Sequence, residues 1–253
     1  MSQTIRHSAA SHPGAVRTDN QDAMLCRPEL GLYVVADGAG GHMGGREAAA
    51  RVVASVASLS TGLKPAEILA HLRQRLMTLH EELIDDAQQA TSPAIRHAGG
   101  LAGAAGGLQG MASTVVVLLL DEEFFACLWT GDSRIYLLRD GELIRLTHDH
   151  SVVQELVDSG VIEEWQAEGH AQANVITHAV GAGAAPLRLD KRVGQVMPYD
   201  RFLLCSDGLT KTLDDVEIRA LLEQGGEGAA LLVDAALRQK ARDNVTAIVV
   251  STD

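Results

Sequence analysis

Aromatic residues are scarce in this 253-residue chain: three Phe, two Trp and three Tyr, 3% of the whole. Its core must therefore be filled by Val, Leu, Ile and Ala, within a hydrophobic share of 46%. Cysteines number three (Cys26, Cys127 and Cys205) and show no CxxC spacing. They make no disulfide framework, and a reducing cytoplasm is the expected location. No apolar run approaches the ~20 residues that span a bilayer, so no membrane partner is expected. The opening MSQTIRHSAASHPGAVRTDNQD lacks the basic-then-apolar layout of a signal peptide. Positive charge is also in short supply. Lys and Arg number 21 against 33 Asp and Glu, a formal net charge of −12, and the isoelectric point is near 5.2. That balance argues against non-specific binding of nucleic acid or membrane. What remains is a globular composition, long enough to bury a sizeable core without staples. One domain covering residues 1–253 is the expectation.

The chain reads as blocks of strands and helices. Gly31–Asp37 is an apolar run entering a glycine-rich turn, the mark of a buried strand. Gly44–Leu59 is Ala-rich with helical spacing, and Pro65 opens a second helix through Ala90. Ile68, Leu69, Leu72, Leu76, Leu79 and Leu83 form the apolar stripe of that second helix. A Gly/Ala-rich loop at Gly99–Gly110 follows, and strands flanking it are expected to pair. Ser113–Thr147 alternates β-branched runs with turn signals, Asp140-Gly141 being a hairpin signal. A helical stretch is expected over Asp149–Gly169, then strands near Leu187–Val196 and Arg201–Ser206. Helices near Asp214–Glu223 and Glu227–Gln239 and a last strand over Asn244–Thr252 complete the pattern. Blocks rather than βαβ alternation favour antiparallel sheets with packed helices.

Five short segments at the ends of expected strands could carry chemistry. They are Arg17–Asp22, Asp37–His42, Gly131–Arg134, Ser206–Gly208 and Arg242–Asn244. An aspartate at a strand end projects a carboxylate from a rigid element, and a following glycine lets the backbone approach closely. Several such carboxylates together repel one another unless cations lie among them. Two divalent ions about 3.5–4 Å apart would relieve that repulsion and activate water at neutral pH. Each segment alone has a plainer explanation. A lone Asp-Gly is most often a turn, a lone arginine or histidine most often a surface residue, and Gly38–Gly45 lacks the lysine of a P-loop. Cys205, inside the apolar run FLLC, reads as a core residue rather than a nucleophile.

Taken together, the segments point further. GAVRTDNQDA, YVVADGAGGHMGGREAA, MASTVVVLLL, WTGDSRIYLLRDGELIRLTHDHSVVQELVDSGVI, NVITHAVGA, DRFLLCSDGLTKTLDDVEI and ARDNVTAIVV resemble, in that order, the metal-dependent type 2C serine/threonine protein phosphatases in their short bacterial form. The resemblance covers about Arg6 to Val250. It implies an α+β fold, a central β-sandwich of two antiparallel sheets flanked by pairs of helices in four layers. It also implies two Mn²⁺ or Mg²⁺ ions, with a third, weaker one in bacterial members.

By resemblance, Asp37 bridges the two ions, Gly38 offers its backbone carbonyl to one, and Asp207 and Asp243 complete the ligands of the other. Asp22 matches a carboxylate that holds metal-bound water. Asp132 looks like the residue that joins Asp207 at the third ion. Arg17 matches the arginine that grips the substrate phosphate, a role suited to its planar fork. The implied reaction is in-line attack on phosphorus by a metal-bridging hydroxide, with no phospho-enzyme.

Where longer relatives have a histidine after Asp-Gly, this chain has Ala39, and His42 is the nearby alternative donor for the leaving oxygen. His178 replaces an arginine usual in the segment 149–180, which matches a flap beside the active site. The expected partners are phosphorylated proteins made by a cognate Ser/Thr kinase. The GAGGHMGG stretch is similar to phosphatases of secretion-system control, and a monomer is expected. A catalytically silent regulator of the same fold is the alternative, as is a two-metal hydrolase of small phosphoesters. Retention of Asp37, Asp207 and Asp243 weighs against the silent form.

Overall fold

A computed structural model describes residues 4–90, 110–183 and 186–252, with the side chains of residues 41–43 and 90 outside the description. Most of the Gly/Ala loop, Gly99–Gln109, lies outside the described residues, as does the side chain of His42.

Two antiparallel five-stranded sheets form the centre. One sheet comprises β1 (Ile5–His12), β8 (Arg134–Arg139), β9 (Glu142–Arg145), β11 (Arg201–Cys205) and β12 (Val245–Thr252), in the order β1-β12-β11-β8-β9. The other comprises β2 (Ala23–Arg27), β3 (Leu32–Ala36), β6 (Val115–Leu120), β7 (Phe124–Thr130) and β10 (Asp190–Gln195), in the order β10-β7-β6-β3-β2. A small ladder joins β4 (Gly38–Ala39) to β5 (Ala112–Ser113). As expected, the strand before the Gly/Ala loop pairs with the strand after it, β3 with β6.

The period-2 geometry of the strands explains why their sequences read as continuous apolar runs. Along β3, Tyr33 and Val35 face the opposite sheet, packing with Val116, Leu118, Phe202, Leu204, Ile248 and Val250. Leu32, Val34 and Ala36 face the other way, onto the helices α1 (Gly41–Ala57) and α2 (Pro65–Ala90). Of the expected stripe on α2, Ile68, Leu72, Leu76, Leu79 and Leu83 are buried, and Leu69 is partly buried. The first sheet does the same on its outer face, where Leu203, Val245, Ala247 and Val249 pack on α5 (Asp215–Glu223) and α6 (Gly228–Arg238). The result is a four-layer αββα sandwich. Three apolar layers fill it with few aromatics, each fully buried aliphatic side chain contributing about 1.5–3 kcal/mol.

Local signals fare unevenly. Asp140-Gly141 joins β8 to β9 with φ of 52° and 77°, so both turn residues are left-handed, as a two-residue hairpin requires. The helix expected over Asp149–Gly169 is much shorter. α3 covers Val152–Asp158, capped by Ser151 Oγ accepting from Gln154 N at 3.2 Å. It stops because Gly160 takes φ 70° and donates to Val157 O at 2.9 Å. Only a 3₁₀ turn, Glu164–Gln166, follows. β1 and β2 have no counterpart among the expected strands. α4 (Asp207–Thr210) is a single turn directly after β11.

Candidate active site

Strand register places the acidic segments at one end of the sandwich. Ala23 pairs with Ala36, so Asp22 and Asp37 leave neighbouring strands side by side. Cys205 pairs with both Ala247 and Arg134, which brings Asp207, Asp243 and Asp132 to the corresponding end of the other sheet. The two ends enclose a cleft of about 1190 Å³. Its walls carry Asp37, Asp132, Asp207 and Asp243, and also four cations, Arg17, Lys211, Lys240 and Arg242. The cleft thus sets four cations among four carboxylates.

Each carboxylate is held by its backbone. Asp37 N donates to Thr114 Oγ1 at 3.1 Å, and Asp37 O accepts from Thr114 N at 2.8 Å. Gly38 lies against the backbone of Gly45 and Gln21, where a side chain would collide. Gly208 packs likewise on the carbonyl of Asn244. Asn244 pins the Arg17 loop: its Oδ1 accepts from Gln21 N at 2.8 Å, while its Nδ2 donates to Pro13 O at 3.0 Å and Asp19 O at 2.9 Å. Asp243 Oδ1 accepts from Asn244 N at 3.0 Å. The neighbouring Asp19 pairs with Arg46 on α1 at 2.6 Å. Asp22 stands behind the cleft wall. Its Oδ2 accepts from Ser206 Oγ at 2.8 Å, whereas its Oδ1 is buried without a hydrogen-bond partner.

The electrostatics follow from this crowding. Burial pushes the Asp22 carboxyl up to about 7, against the hydroxyls of Thr246 and Ser206 and with the charges of Asp207 and Asp243. Burial also raises Asp132 to about 7, with Asp207 adding to the rise and Lys211 opposing it. Asp37 stands well above the usual carboxylate range through burial and the charges of Asp22, Asp207 and Asp132. Cations relieve part of the load. Arg17 donates from Nε and Nη2 to the two oxygens of Asp243 at 3.0 and 3.1 Å. Lys211 Nζ ion-pairs with Asp207 Oδ2.

The donor set fits hard divalent ions. It is entirely oxygen, it is over-supplied with negative charge, and it includes a buried carboxylate oxygen, Asp22 Oδ1, with no partner. Among the described residues no three His, Cys, Asp or Glu side chains are drawn into a closed ligand set. Asp207 and Asp243 are instead engaged by Lys211 and Arg17.

Of the residues singled out from sequence, Arg17, Asp37, Gly38, Asp132, Asp207 and Asp243 share the cleft, and Asp22 adjoins it. His42 belongs to the first turn of α1. His178 does not line the cleft; its Nδ1 meets Thr177 Oγ1 at 3.0 Å and its ring stands 5.3 Å from that of His150. Lys211 and Lys240 were not anticipated, nor was His150. That histidine is 2% exposed, takes the Gly131 N–H on Nδ1 at 3.3 Å and meets Asp190 Oδ2 through Nε2 at 3.1 Å. It braces the turn that carries Asp132. An Asp-to-Lys spacing of four from Asp207 to Lys211 was the available signal for the lysine.

A four-layer sandwich with carboxylates gathered at one end of its two sheets defines the class. The family described as Protein phosphatase 2C matches residues 12–240, and the chain belongs to that family. It is 34% identical over 247 residues to the serine/threonine protein phosphatase PstP of Mycobacterium tuberculosis (strain ATCC 25618 / H37Rv), covering 97% of this chain and 44% of that protein. The chain therefore spans less than half the length of that relative. It is 30% identical to the serine/threonine phosphatase stp of Listeria monocytogenes serovar 1/2a, over 98% of this chain and 92% of that one. Among solved structures, that of "PppA, a key regulatory component of T6SS in Pseudomonas aeruginosa" superposes with a TM-score of 0.84 at 37% identity, over 100% of this chain and 99% of the other. The catalytic domain of PstP in complex with 2 manganese ions gives a TM-score of 0.76 at 32% identity, over 99% of both chains.

Proposed function

We propose that this protein is a metal-dependent phosphoprotein phosphatase acting on phosphoserine and phosphothreonine. The observation that carries the reading is the convergence of Asp37, Asp132, Asp207 and Asp243 on a cleft that also presents Arg17. The names of its relatives support it.

Asp37, the Gly38 carbonyl, Asp207 and Asp243 would hold two Mn²⁺ or Mg²⁺ ions, with Asp22 behind them. Bound divalent ions supply the positive charge and Lewis acidity that phosphoester hydrolysis needs. Arg17, at the cleft mouth and 55% exposed, exchanges its carboxylate partner for two phosphate oxygens. Water attacks phosphorus in line, the bond from phosphorus to the serine or threonine oxygen breaks, and the alcohol leaves with a proton. No side chain becomes phosphorylated. Cys205 is fully buried, and burial pushes its thiol up to about 12, so it is no nucleophile. The segment 149–180 contributes Asn174, Val175 and Ile176 to the cleft wall, where we place the contact with the protein substrate. The likeness to PppA extends the proposal to phosphoproteins of a kinase circuit in secretion-system control.

The test is release of phosphate from a phosphothreonine peptide. Turnover should require added Mn²⁺ or Mg²⁺, stop on chelation and be abolished in Asp207→Ala with circular dichroism unchanged. Turnover that survives chelation overturns the reading.

A further inference from the structure

Lys211 occupies a place that the phosphatase reading leaves without a role. It follows the single turn α4 that starts at Asp207, and its backbone N–H donates to Asp207 O at 2.8 Å. That bond fixes the offset of four residues, which sets two side chains on the same side of a helical turn. The ammonium reaches the Asp207 carboxylate and pairs with Oδ2. Asp207 is only 16% exposed on its side chain, while Lys211 reaches it from the open side of the cleft with 38% of its own side chain exposed. The same positive charge acts on Asp132, itself 8% exposed on the turn between β7 and β8, and on Asp37.

Asp132 and Asp207 are the two carboxylates to which the family resemblance gives a third, weaker divalent ion. An ammonium already seated on one of them opposes that ion in two ways. It neutralises charge the ion would need, and it repels a second cation at close range. A lysine is moreover tethered, so its local concentration does not depend on the metal content of the surroundings.

Resting on the phosphatase reading above, we propose that Lys211 is the resident cation of the Asp132–Asp207 pair, and that it makes this cleft a two-ion site by taking the place of a third. Lys211 is then a positioning residue. It holds Asp207 in place through their ion pair and sets a fixed positive charge beside Asp132 while Asp37, Asp207 and Asp243 take the divalent pair.

The experiment counts Mn²⁺ on the metal-free full chain by equilibrium dialysis with elemental analysis, so no turnover is needed. The wild-type chain should saturate at two ions per chain. Lys211→Met keeps the length of the stem without its charge and should add a third, weaker ion. Lys211→Met combined with Asp132→Asn should lose that ion again. In the otherwise wild-type chain, Asp132→Asn should leave the Mn²⁺ count at two. Three ions on the wild-type chain overturn the proposal. So does a Lys211→Met chain that stays folded and binds two, or an ion lost on Asp132→Asn alone. Where Lys211→Met fails to fold, Lys211→Gln serves in its place, and a folded Lys211→Gln chain that binds two ions overturns the proposal equally. A wild-type chain that binds no Mn²⁺ overturns the phosphatase reading as well, so the two failures are told apart.

Discussion

Arg17 and Asp243 meet through a two-pronged contact on the open side of the cleft, where both side chains are about half exposed. A surface pair of this kind adds little stability. Its value is that the guanidinium is already oriented when a phosphate arrives. Arg17→Ala should therefore leave the melting temperature nearly unchanged and raise KM for a phosphopeptide on the order of tenfold, the loss of one charge-assisted contact of about 1.5 kcal/mol. A KM equal to that of the wild type, measured by steady-state kinetics, removes Arg17 from the phosphate site. His150 poses a different question at the same scale. Burial holds its imidazole below the ordinary range, partly offset by Asp190, with Arg188 and His178 also facing it. A histidine kept neutral by the fold takes up a proton more readily when unfolded. Stability thus falls as pH drops through the unfolded value of about 6.5 toward the lower folded one. Denaturant melts at about pH 7.5 and about pH 5.5 should show that loss in the wild type and a smaller one in His150→Gln. An identical loss in both assigns the pH dependence elsewhere. The aspartates of the cleft were legible in sequence because each ends a strand beside a glycine or in a tight turn. Lys211 and His150 were not, because their importance comes from what the fold sets opposite them: Asp207 one helical turn back, Gly131 in the turn between β7 and β8, and Asp190 at the start of β10.

At the level of elements, sequence patterns were readable wherever burial was one-sided or complete. α2 showed its stripe because one face alone meets the sheet, and β6 showed itself because both faces of VVVLLL are buried. β1 did not. It is an edge strand, mostly exposed, whose residues IRHSAASH carry no apolar run, and it owes its extended form to pairing with β12 along its whole length. The helix expected beyond Asp158 failed for a related reason. Its apolar residues Val161 and Trp165 are exposed at 66% and 80%, so no buried face pays for helix nucleation past Gly160. The same logic fixes the cost of disturbing α2. Leu72 is fully buried between that helix and the sheet containing β3 and β6. Leu72→Ala should lower the free energy of unfolding by about 2–5 kcal/mol, while Leu69→Ala, at a partly buried position, should cost less. Chemical denaturation of the two variants checks the order; equal losses would place Leu69 in the core alongside Leu72.

Across the whole molecule, charge sets the terms on which the fold exists. The net charge of −12 is not spread evenly in its consequences. Most of it is solvated, but Asp22, Asp37 and Asp132 stand inside the end of the sandwich with their carboxyls raised by burial and by nearby carboxylates, Asp207 acting on all three. Two tethered cations, Arg17 and Lys211, offset part of that repulsion and leave the buried Asp22 Oδ1 without a partner. A ligand that supplies positive charge there binds the folded state and has no matching site in the unfolded chain. Linkage then requires it to stabilise the fold, by about 2.7 kcal/mol at a hundred times its dissociation constant. For a chain of this length each kcal/mol moves the melting temperature by about 2–4 °C. Saturating Mn²⁺ should therefore raise the melting temperature by roughly 5–10 °C. NaCl at matched ionic strength should do far less, because screening reaches buried carboxylates poorly. Asp37→Asn should blunt the Mn²⁺ effect, since it removes a carboxylate from the centre of the cluster. A calorimetric scan in which Mn²⁺ and NaCl shift the wild-type transition equally would mean that the cluster is not a divalent-ion site.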